Sequence, residues 1–570
     1  MRKTPSVSKS TSNLLDKLLP FQNISTYIWS LLIVIVAFLI AVPILTIVGS
    51  IFVDNREIWQ HLQETVLKDY ILNSLGLMLG VGTGVLVIGV SCAWLVTMCE
   101  FWGAGIWEWL LLMPLAAPAY ILAYGYNNML DFFGPVQTTL RDIFGWETVD
   151  DYWFPSIHNL GGAIVMLVLV LYPYVYLLAR VAFLEQSVCT LEASRSLGYS
   201  PWKSFWKVAL PLARPSIVAG LALALMETLN DFGTVQYFGV TTFTTGIYRT
   251  WFGMGERVAA AQLASYLMIF VVILLIIEKL SRSHAKYYQI GNGQKRLPRY
   301  HLNFGQALVS SVFCLIPVAL GFVFPIIYFI HLTIANYELT LNENFWQLAK
   351  NSLILALISA IVAIVIGLIM AYAQRIISHP IVNSSVRFAS LGYAIPGAVI
   401  AVGILIPIGD FDNSLDQFMV DNFNISTGLL FSGTIIALIY AYLVRFLTVS
   451  FNTIESSLGK IKPNLDDASR SLGNGTIATL FKVHLPLMWG GIFTAVMLVF
   501  VDVMKELPAT LVMRPFNFDT LAVRVYQYAS DERLTAASAP ALAIILVGII
   551  PVILLSYRIA HSRNRDFSDS

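Results

Sequence analysis

Four acidic residues lie in otherwise apolar stretches of this 570-residue chain. They form two pairs, Glu227 with Asp231 and Asp502 with Glu506, and the second pair follows the first after 275 positions. A spacing of four residues places both carboxylates of a pair on one face of an α-helix. Carboxylate oxygens favour hard cations. We therefore expect all four side chains to contact a metal cation, weakly and transiently, because conduction requires the ion to leave again.

The same acids also have a purely structural interpretation. Asp231 and Glu506 can cap the ends of helices, or they can pair with bases nearby in the sequence. The possible charge partners are Arg249, Lys505 and Arg524. Both interpretations stay open at this point, since sequence spacing does not distinguish a cation path from a helix cap.

The composition indicates the elements that must hold these residues. Of all residues, 57% are hydrophobic and 12% are charged, whereas soluble domains carry about a quarter charged residues. A chain with 35 basic and 34 acidic residues has no electrostatic footprint for nucleic acid. Helices of about 20 apolar residues cross a bilayer. Twelve such spans are predicted, at 28–52, 72–98, 106–127, 160–182, 213–230, 258–278, 308–333, 352–374, 386–409, 428–448, 488–505 and 536–557.

The distribution of basic residues predicts the orientation of these spans. Most of the 35 Lys and Arg residues fall in alternate loops, and such loops face the cytoplasm by the positive-inside rule. Both termini are then cytoplasmic. The predicted organisation is a cytoplasmic N-terminal segment (1–27), a first membrane domain (28–278), a basic cytoplasmic linker (279–305), a second membrane domain (306–558) and a cytoplasmic tail (559–570).

The chain is an internal duplication. Residues 193–198 and 468–473 are identical. The same offset, continued without a gap, pairs Phe243 with Phe518 and Arg249 with Arg524, while upstream segments match at an offset of 278. Six spans per repeat give both halves the same orientation, so we expect an all-α membrane protein with a pseudo-two-fold axis along the membrane normal and a path between the halves.

The most similar segments of the two repeats are polar loops. Each loop has small residues, then Gly198 or Gly473, and later Pro211 or Pro486. This order predicts a short helix, a glycine with positive φ, a second short helix and a proline where the chain enters the membrane. A preformed knob of this kind suits a cleft in a cytoplasmic partner.

This loop pattern is similar to the coupling-helix signature of permease subunits of binding-protein-dependent ABC importers. The resemblance implies that both loops dock on cytoplasmic ATPase subunits. The second copy departs from the family in having Asp467 in place of Glu, and a different sequence after the glycine. The implied docking residues are Glu192, Ala193, Ser194, Gly198, Tyr199, Ser200 and Pro201 in the first loop, and Asp467, Ala468, Ser469, Gly473, Asn474, Gly475 and Thr476 in the second.

Segments 230–235, 243–249, 505–510 and 514–520 resemble the fused permeases of bacterial ferric-iron ABC importers, and this resemblance covers nearly the whole chain. It implies an inner-membrane protein that receives Fe(III) as substrate from a periplasmic ferric-binding protein. It also implies two copies of a partner ATPase that bind ATP, and no tightly bound cofactor. The chain has no phosphate-loop motif, so we expect a transporter subunit rather than an enzyme. Amide replacement of Asp231 and Glu506 is then expected to abolish uptake.

Two alternatives remain. The cargo of such a permease can instead be thiamine, a polyamine, sulfate or phosphonate. A twelve-helix secondary transporter also has two six-span halves, although it has no use for twin cytoplasmic docking loops.

Overall fold

A computed structural model describes residues 24–186, 192, 194, 196–283, 299–377 and 379–568. Residues 1–23 of the predicted N-terminal segment, most of the linker (284–298) and Ala193 lie outside the described residues. The first half contains twelve described helices: α1 Ile24–Ser50, α2 Arg56–Thr65, α3 Leu67–Met98, α4 Ala104–Leu110, α5 Ala119–Leu130, α6 Pro135–Phe144, α7 Leu160–Leu184, α8 Pro201–Ser204, α9 Leu210–Asn230, α10 Gly233–Tyr237, α11 Phe243–Tyr248 and α12 Arg257–Ser283.

The second half repeats this order of elements. Its helices are α13 Phe304–Val318, α14 Phe324–Ala335, α15 Tyr337–Thr340, α16 Glu343–Ile376, α17 Pro380–Ala389, α18 Gly397–Phe423, α19 Ile435–Gly459, α20 Pro463–Ser471, α21 Thr476–Thr479, α22 Leu485–Lys505, α23 Pro508–Met513, α24 Leu521–Ser530 and α25 Leu534–Ser568. Four π-helical turns interrupt or extend these helices, at Phe205–Ala209, Arg249–Gly253, Ala319–Val323 and Leu480–His484.

Within the described residues, eleven helices are long and apolar enough to cross a membrane. A twelfth span consists of two segments, Ala104–Ala116 and Ala119–Phe144, which meet at 90°. The predicted span 106–127 is therefore not one continuous helix, since it contains this bend. Ala117 adopts an extended conformation directly before Pro118, because the proline ring disfavours helical geometry in the preceding residue.

In the second half, the span predicted at the same place does not coincide with one helix, although α18 itself is continuous and long enough to cross a membrane. The predicted span 386–409 covers the end of α17, a short 3₁₀ turn (Gly392–Ala394) and the start of α18. Ile395 is extended before Pro396, for the same reason as Ala117. The predicted span 428–448 is shifted, since α19 begins only after the cap residue Thr434 and continues to Gly459.

The two repeats correspond closely, with one correction to the alignment. Helices α7 and α19 match without a gap at the offset of 275. Farther along, the cap residue of α11 is Thr242 and that of α24 is Thr520, so the offset there is 278. The ungapped pairing of residues 243 with 518 and 249 with 524 is therefore wrong. The second half has three more residues from the start of α23 to the start of α24 than the first half has from the start of α10 to the start of α11.

Each half extends its first helix onto the other half. Pro43 of α1 lies against Gly403 of α18, where a Cβ atom on the glycine would meet the Pro43 carbonyl oxygen at 2.6 Å. In the opposite direction, Tyr126 donates a hydrogen bond of 2.7 Å to the carbonyl oxygen of Leu320, in the π-helical turn at the middle of the second half's first span. These exchanged helices hold the two repeats together around their interface.

The end of the linker also attaches to the first half. Cys99–Glu100, directly after α3, pairs in parallel with Tyr300–His301. Arg299 lies 3.7 Å from Glu108. This pairing places the loop after α3 and the end of the linker on the same side of the molecule.

Candidate translocation cavity and docking loops

A cavity of about 340 Å³ lies between the two halves, near the ends of α9 and α22. Its wall is largely apolar, with contributions from α5, α7, α9, α19, α22 and α25. Charged and amide side chains from both halves also line it: Glu227, Asn230, Asp231, Arg445, Asp502, Lys505 and Glu506. All four predicted carboxylates therefore line one cavity.

Arg445 of α19 is the most connected of these residues. Its side chain is 4% exposed, and its Nη1 lies 3.0 Å from the Glu506 carboxylate. The same nitrogen donates a hydrogen bond of 2.8 Å to the amide oxygen of Asn230 in the other half. Its Nη2 lies 3.8 Å from Glu227 Oε2. A buried guanidinium is stable only when anions and hydrogen-bond acceptors compensate its charge. Arg445 is therefore the positive partner of the Glu506 carboxylate in the cavity wall.

Sequence reasoning missed Arg445. It lies within the predicted tenth span, and the equivalent position in the first half is Val170, so comparison of the repeats does not single it out. The available signal was a lone arginine in an apolar run of α19, because ionisable residues inside membrane helices normally have a functional partner.

Asp231 and Glu506 both hold the start of a short helix. Asp231 accepts hydrogen bonds from the Thr234 hydroxyl at 2.9 Å and from the Val235 amide at 3.1 Å. Glu506 accepts one from the Ala509 amide at 3.1 Å, in addition to its contact with Arg445. Capping bonds of this kind satisfy backbone donors that a helix start leaves free.

Glu227 and Asp502 have fewer contacts with other protein groups than Asp231 and Glu506 have. Both are half-buried in the cavity wall. Glu227 has only the long contact with Arg445, and Asp502 has no hydrogen bond or ion pair within 4 Å in the described part of the chain. Lys505, one turn beyond Asp502, donates a hydrogen bond of 3.0 Å to the carbonyl oxygen of Leu115 in the broken span of the other half.

The other two possible charge partners lie elsewhere. Arg524 pairs with Asp519 at 3.0 Å. Arg249 is exposed and forms no ion pair within the described residues. Across the same described ranges, no three His, Cys, Asp or Glu side chains are arranged to hold one metal ion. The four carboxylates thus line the cavity without forming a ready-made ligand cage.

The two docking loops have the same local geometry. Gly198 and Gly473 adopt φ values of +75° and +81°, as the sequence predicts. In the first loop the hydroxyl oxygens of Ser194 and Ser204 lie 2.9 Å apart. At the equivalent place in the second, Ser469 and Thr479 lie 2.8 Å apart. In each loop this contact joins the segment before the left-handed glycine to the short helix after it.

Each loop also presents several large apolar side chains to solvent, among them Trp202 in the first loop and Ile477 in the second. Leu197 is 74% exposed and Leu472 is 83% exposed, and each directly precedes the left-handed glycine. Exposed apolar side chains on a rigid loop typically mark a contact with another protein. The acids of the signature, Glu192 and Asp467, are also exposed, and each precedes its leucine by five residues in the sequence.

Comparison with known proteins agrees with this architecture. The chain is 26% identical over 493 residues to the Fe(3+)-transport system permease protein FbpB 2 of Haemophilus influenzae, covering 86% of this chain and 90% of that protein. It is 23% identical over 555 residues to the ferric transport system permease protein FbpB of Actinobacillus pleuropneumoniae, covering 92% of this chain and 77% of that protein.

A shorter match is to the molybdenum transport system permease protein ModB of Escherichia coli K12, 28% identical over 200 residues, or 34% of this chain and 84% of that protein. The family model of binding-protein-dependent transport system inner membrane components matches twice, over residues 18–283 and 363–565. The two matches correspond to the two repeats and cover most of the sequence. The chain therefore belongs to the family of binding-protein-dependent transport system inner membrane components.

Proposed function

We propose that this chain is the permease of an ATP-driven importer, and that it moves ferric iron from a periplasmic binding protein to the cytoplasm. The observation that carries the proposal is the cavity between the repeats, which is lined by four carboxylates from both halves. Ferric iron is a hard cation with a preference for oxygen ligands. Support for this cargo also comes from the two ferric transport permeases that match nearly the whole chain.

The four carboxylates have different roles in this proposal. Glu227 and Asp502 are the groups that contact the passing cation, because their oxygens have few protein partners. Asp231 and Glu506 add negative charge at the cavity while they hold the short helices α10 and α23. Arg445 and Lys505 offset part of that charge, which keeps cation binding weak enough for release.

The energy for transport comes from partner subunits. The two exposed loops around Leu197 and Leu472 each dock on one copy of a cytoplasmic ATPase, and ATP is bound there rather than by this chain. The whole predicted docking set takes part: Glu192, Ala193, Ser194, Gly198, Tyr199, Ser200 and Pro201, with Asp467, Ala468, Ser469, Gly473, Asn474, Gly475 and Thr476.

The proposed orientation in the membrane follows the distribution of basic residues. Both termini, the linker and the docking loops then face the cytoplasm. The strand pair Cys99–Glu100 with Tyr300–His301 supports it, since it joins two segments that the charge distribution assigns to the same side. Transport then proceeds by alternating access. Loaded binding protein docks on the outer loops, closure of the two ATPases separates the halves on the outer side, and hydrolysis restores the inward-facing state.

A second candidate cargo is an oxyanion. The match to the molybdenum permease and the two basic side chains in the cavity, Arg445 and Lys505, favour it. The cavity is lined by four carboxylates and two basic side chains, so its acidic groups outnumber its basic ones. We therefore propose a cation rather than an oxyanion as the cargo. A secondary transporter is disfavoured by the family membership and by the twin docking loops.

The deciding experiment is uptake into proteoliposomes that contain this chain, its cognate ATPase and its cognate binding protein. We expect accumulation of radioactive ferric iron that requires ATP and the binding protein. Accumulation of molybdate, sulfate or thiamine but not iron would overturn the cargo. Uptake that follows an ion gradient without ATP would overturn the importer itself.

A further inference from the structure

We propose that Arg375, Asp466 and His484 form a polar anchor that positions the second docking loop on the membrane helices and transmits the movement of the ATPase to them; the first repeat carries none of these side chains at the equivalent positions. The three side chains come from α16, α20 and the π-helical turn before α22. The proposal rests on the proposed function, because it presumes that the loops dock on an ATPase.

Arg375 is the centre of this anchor. Its Nη2 donates a hydrogen bond of 2.6 Å to Asp466 Oδ2, and its Nε donates one of 3.2 Å to the same oxygen. The guanidinium also donates to the carbonyl oxygens of Leu458 at 2.7 Å and Ile461 at 2.9 Å, at the end of α19. One side chain of α16 thus holds both α19 and the docking helix α20. Charge-assisted bonds with several fixed partners leave it little freedom to move alone.

His484 continues the connection into α22. Its side chain is fully buried, and its Nε2 lies 2.7 Å from Asp466 Oδ1. Tyr372, one turn before Arg375, donates a hydrogen bond of 2.6 Å to the carbonyl oxygen of Thr476 in the second limb of the loop. Both limbs of the loop are therefore bonded to α16, and α22 leads from there to the acid-lined cavity.

Polar contacts rather than close packing make this connection. A cavity of about 370 Å³ lies between the loop and α16, lined by Tyr372, Arg375, Asp466 and Thr476 among others. Since apolar side chains do not fill this space, the anchor residues carry the contact between the loop and the helix. Rigid polar networks of this kind can move as one unit when one end is displaced.

The equivalent positions of the first repeat carry different residues. Trp94 and Thr97 stand in place of Tyr372 and Arg375, and Leu191 and Ala209 stand in place of Asp466 and His484. Trp94 packs against Phe205 with ring centroids 4.9 Å apart. The helix next to the first loop thus makes an aromatic contact where the second repeat has ion pairs. We infer that the two loops transmit movement unequally, and that the second loop is the stiffer one.

The test compares Asp466→Asn and Arg375→Gln with the wild-type complex in proteoliposomes. We expect the ATPase to co-purify and to hydrolyse ATP within about twofold of the wild-type rate, while iron uptake falls at least tenfold. The number of ATP molecules hydrolysed per ion then rises at least about fivefold. The matched control is Glu455→Gln, which removes one exposed charge of α19 in the same half and should leave this ratio unchanged.

A purely structural role gives a different result. Fewer assembled complexes with a wild-type ratio of ATP to iron would overturn the proposal. Hydrogen exchange of the permease without its ATPase is a second measurement. We expect faster exchange in residues 464–473 of Asp466→Asn and no change in residues 196–204, and equal effects in both loops would also overturn it. Failure of the wild-type complex to couple uptake to ATP would instead contradict the proposed function, while the exchange result would still show whether the anchor holds the loop.

Discussion

Arg445 Nη1 lies 3.0 Å from the Glu506 carboxylate of its own half and 2.8 Å from the Asn230 amide oxygen of the other half. The Asn230 oxygen also accepts a hydrogen bond of 2.7 Å from the Gly397 amide, at the start of α18. The repeat-related position of Asn230 is Lys505, which reaches the Leu115 carbonyl in the opposite direction. The last residues of α9 and of α22 thus each contact the opposite half close to a helix-breaking proline, at Gly397 directly after Pro396 and at Leu115 shortly before Pro118.

Loss of the Arg445 side chain is expected to destabilise the protein through the acid it leaves behind. Removing one partner of a buried ion pair costs about 3–5 kcal/mol, because Glu506 would then be buried without its counter-ion. Arg445→Met should therefore lower the Tm in detergent clearly, and Arg445→Met combined with Glu506→Gln should recover most of the loss. Arg249→Gln, which removes an exposed arginine, is the control. Equal Tm values for the single and the double variant would contradict this account.

Glu227 and Asp502, the two cavity acids with few protein contacts, should control transport with little effect on folding. Glu227→Gln and Asp502→Asn each remove one charge from the cavity but break no short hydrogen bond, so we expect normal assembly and at least tenfold slower ATP-dependent iron uptake. Asp231→Asn should instead cost about 1 kcal/mol of stability, because an amide has one acceptor oxygen and keeps only one of the two hydrogen bonds that Asp231 accepts. Wild-type uptake by a Glu227→Gln and Asp502→Asn double variant would rule out these residues as cation contacts.

Much of this arrangement was predictable from the sequence, because it depends on local chemistry. The duplication, the membrane class and the conformation of Gly198 and Gly473 follow from residue identity and spacing. The four acids also meet at one cavity, as their spacing predicts. Residue spacing places each pair of acids on one helix face, and the pseudo-two-fold relation of the repeats brings the two faces towards each other.

The features that were missed depend on contacts between distant segments. Arg445 meets Asn230 across 215 positions of the chain, and no local pattern indicates such a contact. The predicted spans 106–127 and 386–409 run across the interruptions at Pro118 and Pro396, because hydropathy does not register a single extended residue. The three extra residues before α24 were overlooked because chance identities at Phe518 and Arg524 extended an ungapped alignment past the true insertion.

The exposed leucines of the docking loops offer a direct test of the ATPase interface. Leu197→Asp and Leu472→Asp place a charge where an apolar contact is expected, so each should reduce co-purification of the ATPase at least several-fold. The fold should survive, because both side chains are exposed. Val149→Asp changes an exposed apolar residue in the loop between α6 and α7, a loop assigned to the opposite side of the membrane, and should leave co-purification intact. Unchanged binding in both leucine variants would place the ATPase elsewhere.

Substitution of the two loop glycines separates backbone strain from packing. A Cβ atom at Gly198 or Gly473 meets no other atom within 4 Å, so the cost of Gly→Ala comes from the left-handed conformation alone, about 1–2 kcal/mol. Asn tolerates this conformation better than Ala does, so Gly473→Asn should be milder than Gly473→Ala. Hydrogen exchange of residues 466–476 measures the effect. We expect the fastest exchange in the Ala variant, slower exchange in the Asn variant and the slowest exchange with the native glycine. If Ala and Asn loosen the loop equally, the left-handed turn is not what limits its stability.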